Sequence, residues 1–209
     1  MIKNKKLLIL PGDGIGKEVI EPVLDIIDWM AKYKSISFDI SERLVGGEAY
    51  DAEGDSISDK TLDEAINSDA VLFGAVGGPK WDNVEREKRP EAALLKLRKE
   101  LDLFANLRPA IVFDALVNAS SLKKELILGL DILILRELTS GVYFGKPRGI
   151  ESINENEKKA VDTQSYTTSE VQRIARVAFD LAKKRSNKVT SVEKANVMET
   201  GMFWRKIVS

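Results

Sequence analysis

The chain has 209 residues, 44% apolar and 31% charged, with a net charge of -1 and neither cysteine nor histidine. That length suits one or two domains of about 100–150 residues, and the even charge balance offers no global field for nucleic acid or a membrane surface. Without Cys or His there are no disulfides, thiol nucleophiles, Cys/His zinc sites or Ser/His catalysis, so any chemistry falls to Lys, Tyr, Asp, Glu or a metal on oxygen ligands.

In chain order, residues 7–10 form an apolar strand running into the PGDG turn. The run is too short for a signal-peptide core, and nothing in the chain approaches the roughly 20 apolar residues of a spanning helix, so a cytoplasmic protein is expected. Ile15, Val19, Val23, Ile26 or Ile27, and Met30 then recur at helical spacing, with Pro22 expected to kink that helix or mark an irregular first half. Residues 36–40 read as a strand, 58–67 as a helix opened by a polar cap, and 70–75 as a buried strand. Strand and helix alternate, which predicts an α/β fold with a mostly parallel sheet.

A helix over about 91–101 puts Glu91, Leu94, Leu95 and Arg98 in one stripe, because residues three, four and seven apart share a face. Arg108 ends an extended stretch before Pro109. Residues 132–135 are a β-rich run of the kind buried on both faces, stopping at Arg136 and Glu137. Residues 141–167 are strand-like around the polar stretch 151–159, which suits a hairpin tip or an arm. Thr168 is placed as the cap of a helix burying Val171, Ile174, Ala175, Ala178 and Leu181; 188–192 read as a strand and 199–208 as a last helix.

Several features carry chemistry. PGDGIG has glycines at 12, 14 and 16 but Lys17 where the dinucleotide fingerprint needs a small residue, so it reads as a tight strand-to-helix turn. GAVGGPKWD follows a buried strand, where glycine admits either a ligand or packed backbone, and Trp81 there suits a packing anchor. Arg98, Arg108 and Arg136 each read alone as solvated or ion-paired, yet each falls at a helix face or strand end directed to one edge of the fold. Together they make a candidate carboxylate site. Lys194 reads as a solvent-facing lysine or, beside arginines that disfavour its charge, as a general base, and Tyr143 lies seven residues beyond Arg136.

PGDGIG, GAVGGPKWD, RPEAALLKLRKELDLFANLRPA, RELTSGVYFGKPRG and EKANVMETGMFWR, in this order across nearly the whole chain, resemble successive motifs of the 3-isopropylmalate dehydrogenase family. These are metal-dependent β-decarboxylating hydroxyacid dehydrogenases. The resemblance implies an isopropylmalate dehydrogenase-like mixed sheet, non-Rossmann, in two domains. Residues 1–100 would belong to the first and 101–209 to the second, with an arm at about 141–167 clasping the other subunit of a homodimer. It implies oxidative decarboxylation of 3-isopropylmalate, a small dicarboxylate, to 4-methyl-2-oxopentanoate and CO2 in leucine biosynthesis, using NAD and Mg2+ or Mn2+.

Residue by residue, Arg98, Arg108 and Arg136 would hold the substrate carboxylates, and Leu94 and Leu95 would receive the isopropyl group. Gly78, Pro79, Lys80, Trp81, Asp82 and Glu91 would border the cofactor, Glu91 near the nicotinamide ribose. Lys194 resembles the base that helps take the hydroxyl proton, acting in the partner subunit's site, and Tyr143 the acid that protonates the enol carbon. Isocitrate dehydrogenases carry polar residues where Leu94 and Leu95 stand, and an apolar pair cannot satisfy a buried carboxylate. Tartrate and alkylmalate relatives remain alternatives, as does a non-catalytic binding or assembly module. The family continues past the position of Ser209 into its metal-binding aspartates, its adenine loop and further strands. The expectation is therefore a truncated N-terminal portion that is inactive alone, has no residue assignable to the metal, and is poorly soluble through an exposed sheet edge.

Overall fold

The structure, a computed structural model, describes residues 4–34 and 36–209. The chain forms two compact units, Met1–Asp102 and Leu103–Ser209.

The first unit contains β1 (Asn4–Gly12), α1 (Ile15–Lys34), β2 (Ser37–Glu42), α2 (Gly47–Glu53), α3 (Asp59–Ile66), β3 (Ala70–Ala75) and α4 (Pro90–Glu100). Its sheet is parallel throughout, in the order β2-β1-β3, with Leu7 opposite both Ile40 and Ala70. Side chains alternate across a strand, so the apolar run of β1 serves two cores. Leu8 and Leu10 pack with Val45, Ile57, Leu62, Ala93 and Leu97 on one face, while Leu7 and Ile9 pack with Ile20 and Ile27 of α1 on the other. Each such side chain contributes about 1.5–3 kcal/mol by leaving water. Ser58 opens α3 by accepting a hydrogen bond from the Thr61 N–H.

The buried stripe of α1 matches the expected one only in part, at Ile27 and at Val23, which packs against the same core. Gly16, Ile20 and Ile27 face the sheet, whereas Ile15, Val19 and Ile26 are exposed. The helix is apolar on two sides, and periodicity alone does not choose between them. Pro22 lies inside α1 without ending it. The short α2, absent from the sequence reading, starts at a glycine pair and stops at Gly54 in a left-handed conformation.

The second unit contains β4 (Ala105–Ile111), α5 (Lys124–Ile127), β5 (Asp131–Glu137), β6 (Arg148–Ser152), β7 (Lys158–Asp162), α6 (Thr168–Lys183) and α7 (Glu199–Val208). Here pairing is antiparallel, β4 with β5 and β6 with β7, so the fold is α/β with mixed pairing and parallel order confined to the first unit. The β6–β7 hairpin falls within the segment read as an arm. Thr167, one residue earlier than expected, caps α6 in a reciprocal box with Glu170.

Two expectations are corrected. Residues 188–192 are not a strand: they line a groove together with β5 but form no ladder with any strand among the described residues. Nor is β5 buried on both faces: among the described residues its only ladder partner is β4, and Ile132 and Ile134 are about half exposed.

Candidate functional site

A cavity of about 430 Å³ in the second unit gathers Arg108, Arg136, Tyr143 and Lys194, with Tyr166 and Trp204 also on its walls. The β-ladder explains the arginines. Asn106 pairs with Arg136 and Arg108 with Ile134, and the two-residue period puts all four on one face of the ribbon. Arg108 Nε donates to Asn106 Oδ1 at 2.5 Å, which steers its guanidinium along the strand. The Arg136 guanidinium lies 5.2 Å above the Tyr143 ring, a cation–π contact that holds cation and phenol together.

The opposite face of β5 supports this arrangement. The side chain of Glu137 is 2% exposed and accepts from Arg173 Nη2 at 2.6 Å. Its other oxygen accepts the Thr139 and Ser140 N–H groups at 2.9 and 3.1 Å. These bonds pin the turn that carries the chain to Tyr143. Arg173 in turn stacks 4.6 Å from the Phe104 ring. Glu137 and Glu193 also border the cavity; Glu137 is paired with Arg173, and Arg108, Arg136 and Lys194 outnumber the remaining acid, Glu193. Such a surface suits an anion with two or more oxygens. Lys194 stands just before α7 rather than at a strand end, its carbonyl accepting the Met198 N–H at 3.0 Å. The family resemblance assigns it to the partner subunit's site; the geometry puts it on its own chain's cavity. Burial raises the pKa of Tyr166, helped by the charges of Glu137 and Glu170 and opposed by Arg136.

The first unit holds a second constellation, centred on a residue that motif reading passed over. Asp13 is 2% exposed, and its carboxylate accepts the N–H groups of Gly47 (2.8 Å), Glu48 (2.9 Å) and Gly77 (2.8 Å). Two of these are first-turn donors of α2, which have no partner within the helix. One buried anion thus joins the PGDG turn, the start of α2 and the loop after β3. The only signal in the sequence was an acid between two glycines, the composition of any tight turn.

The α2 helix also holds the loop's far side. Trp81 lies so close to Gly47 that any side chain there would collide with the indole, and its Nε1 donates to Asp51 at 3.2 Å. Lys80 Nζ meets the same carboxylate at 2.6 Å, and these two donors draw the Asp51 pKa below the usual carboxylate range. Arg89 Nη2 donates to the Asp82 carbonyl at 2.7 Å. Gly77 has φ +109°, and a Cβ there would stand 2.8 Å from Glu91 Oε1. The structure therefore brings Gly78, Pro79, Lys80, Trp81, Asp82 and Glu91 into one neighbourhood. Open glycine backbone beside an exposed carboxylate fits a polyhydroxyl group such as a nucleotide ribose.

Leu94, Leu95 and Arg98 lie on α4 of the first unit, half-buried, while Pro90, Ala93 and Leu97 take its core face. No group of three or more Asp or Glu among the described residues could hold a metal ion.

A parallel three-stranded layer, an antiparallel ribbon bearing paired arginines and a glycine loop held by α2 define the class. The family profile described as isocitrate/isopropylmalate dehydrogenase matches residues 6–209, and the chain belongs to that family. Among curated relatives it is 60% identical over 207 residues to the 3-isopropylmalate dehydrogenase of Pelagibacter ubique, covering 99% of this chain and 56% of that protein. It is 57% identical over 208 residues to that of Ruegeria pomeroyi, covering 100% of this chain and 56% of the relative. The chain thus spans little more than half the length of these relatives.

Two solved structures place the chain among the wider dehydrogenases. An apo β-decarboxylating dehydrogenase from Thermococcus kodakarensis matches at TM-score 0.69 and 33% identity, over 98% of this chain and 53% of that one. An isocitrate dehydrogenase from Methylococcus capsulatus matches at TM-score 0.78 and 26% identity, over 98% and 56%.

Proposed function

We propose that this chain carries the substrate-binding and proton-transfer residues of an NAD-dependent 3-isopropylmalate dehydrogenase, acting in the oxidative decarboxylation step of leucine biosynthesis. The observation that carries this reading is the meeting of Arg108, Arg136, Tyr143 and Lys194 on one cavity, supported by relatives of that name at about 60% identity. Arg108 and Arg136 bind the malate carboxylates; the resemblance gives Arg98 the same task and Leu94 and Leu95 that of taking the alkyl branch. Lys194 accepts the hydroxyl proton, and Tyr143, held beside Arg136, returns a proton to carbon after CO2 has left. Residues 78–82 and Glu91 receive NAD, which supplies hydride acceptance when bound. The β6–β7 hairpin serves as the arm of a homodimer in the cytoplasm.

A divalent cation is part of the family's chemistry, and no described residues suit it. The chain alone is therefore expected to bind dicarboxylate without turning it over. Isothermal titration of the 209-residue chain with 3-isopropylmalate, isocitrate and tartrate tests substrate class, with 3-isopropylmalate expected to bind tightest. Tighter binding of isocitrate would overturn the assignment. NADH formation by the isolated chain would refute its expected inactivity.

A further inference from the structure

The cavity contains a second tyrosine to which the reading above gives no task. Tyr166 sits between the β6–β7 hairpin and α6, and the bond from Gly141 N to Ser165 O (2.9 Å) draws this segment over the turn after β5. Its ring meets the Trp204 indole of α7 edge-on, with centroids 5.3 Å apart and planes at 75°. That contact fixes the direction of the phenol. A Cβ on Gly141 would stand 2.6 Å from the hydroxyl, so the oxygen rests on the turn that carries Tyr143.

Among the described residues the Tyr166 hydroxyl has no hydrogen-bond partner. The neighbouring wall residue, Ser140, is 8% exposed, and its Oγ is buried without a partner, whereas half-buried Tyr166 keeps its oxygen open to the cavity. Hydroxyls withdrawn from water are ordinarily paired, since leaving them unpaired costs free energy. Two unused hydroxyls on the wall that also bears Arg108 and Arg136 mark a place for oxygen atoms of a ligand.

We infer that Tyr166 is a further binding residue of this cavity, its hydroxyl donating a hydrogen bond to a carboxylate or hydroxyl oxygen of the acidic ligand that Arg108 and Arg136 attract. The inference rests on the proposal that the cavity takes a malate-type dicarboxylate. Burial and the nearby acids keep the phenol protonated, as a donor must be. Its role is separate from that of Tyr143, whose ring is occupied by Arg136.

The test is isothermal titration of 3-isopropylmalate into the 209-residue chain, its Y166F variant and an R108Q variant, with urea unfolding of each. Phenylalanine keeps the edge contact with Trp204 and removes only the hydroxyl. The expected result is binding weakened roughly three- to tenfold in Y166F with an unchanged unfolding midpoint, and lost in R108Q. Wild-type affinity in Y166F beside lost binding in R108Q overturns the role of Tyr166 and leaves the dicarboxylate reading standing. Absence of binding by the wild-type chain overturns both.

Discussion

Asp13 accepts from three backbone N–H groups, two in the first turn of α2 and one in the loop after β3. Substitution by alanine leaves those donors without a partner in a buried place, where each costs about 1–3 kcal/mol. Asp13→Ala is expected to destabilise the chain by about 3–5 kcal/mol, and Asp13→Asn, which turns one acceptor into a donor, by about 2 kcal/mol. Urea unfolding midpoints measure both; a midpoint unmoved by Asp13→Ala would refute the role. The clamp at Asp51 adds a pH dependence. Its folded pKa lies below the unfolded value, so its contribution is complete above about pH 4 and disappears as pH falls through the lower folded value. Trp81 emission, read against a Trp81→Phe control, should change across that acid window and lose the transition in Asp51→Asn.

At the scale of elements, α6 and β5 depend on charge placed at their ends. The box of Thr167 and Glu170 answers two first-turn donors of α6. Thr167→Ala is expected to cost about 1 kcal/mol, read as a lowered urea midpoint. Arg173 faces a carboxylate that is 2% exposed, and breaking a buried pair from one side leaves the other charge unpaired. Arg173→Met should therefore destabilise by about 3 kcal/mol, whereas the paired change Arg173→Met with Glu137→Leu should recover part of that loss. A double-mutant cycle with no coupling would contradict this. Much of this layer was legible from residues alone. The bounds of β3 and α7, and those of α4 to within a residue, followed from apolar runs and helical spacing, signals that act within a few residues. The lack of a ladder at residues 188–192 and the exposed face of β5 were not, because pairing and burial are decided by what lies beside a segment.

In the molecule as a whole, apolar surface is distributed unevenly. Ile132, Ile134, Ile174, Phe179, Val189 and Val208 line a groove of about 800 Å³ in the second unit, and the outer side of α1 exposes Ile15, Val19, Ile26, Trp29 and Tyr33. Surfaces of this kind take up hydrophobic dyes and favour association. The chain should enhance anilinonaphthalene sulfonate fluorescence under native conditions, and Phe179→Glu should reduce that signal while moving stability by no more than about 0.5 kcal/mol. Equal dye binding by the variant would assign the signal to another surface.

The order of motifs determined the family, because motif residues carry their chemistry wherever the chain puts them, whereas Arg108, read as ending an extended stretch, lies in the middle of β4, which continues through Pro109 to Ile111. Tertiary structure alone decided which of two apolar stripes of α1 meets the sheet, that Asp13 and α2 hold the loop at residues 77–82, and that Tyr166 faces the arginines. Each of those outcomes joins residues distant in sequence. Burial, pairing and hydrogen-bond satisfaction are properties of neighbours, and only folding selects the neighbours.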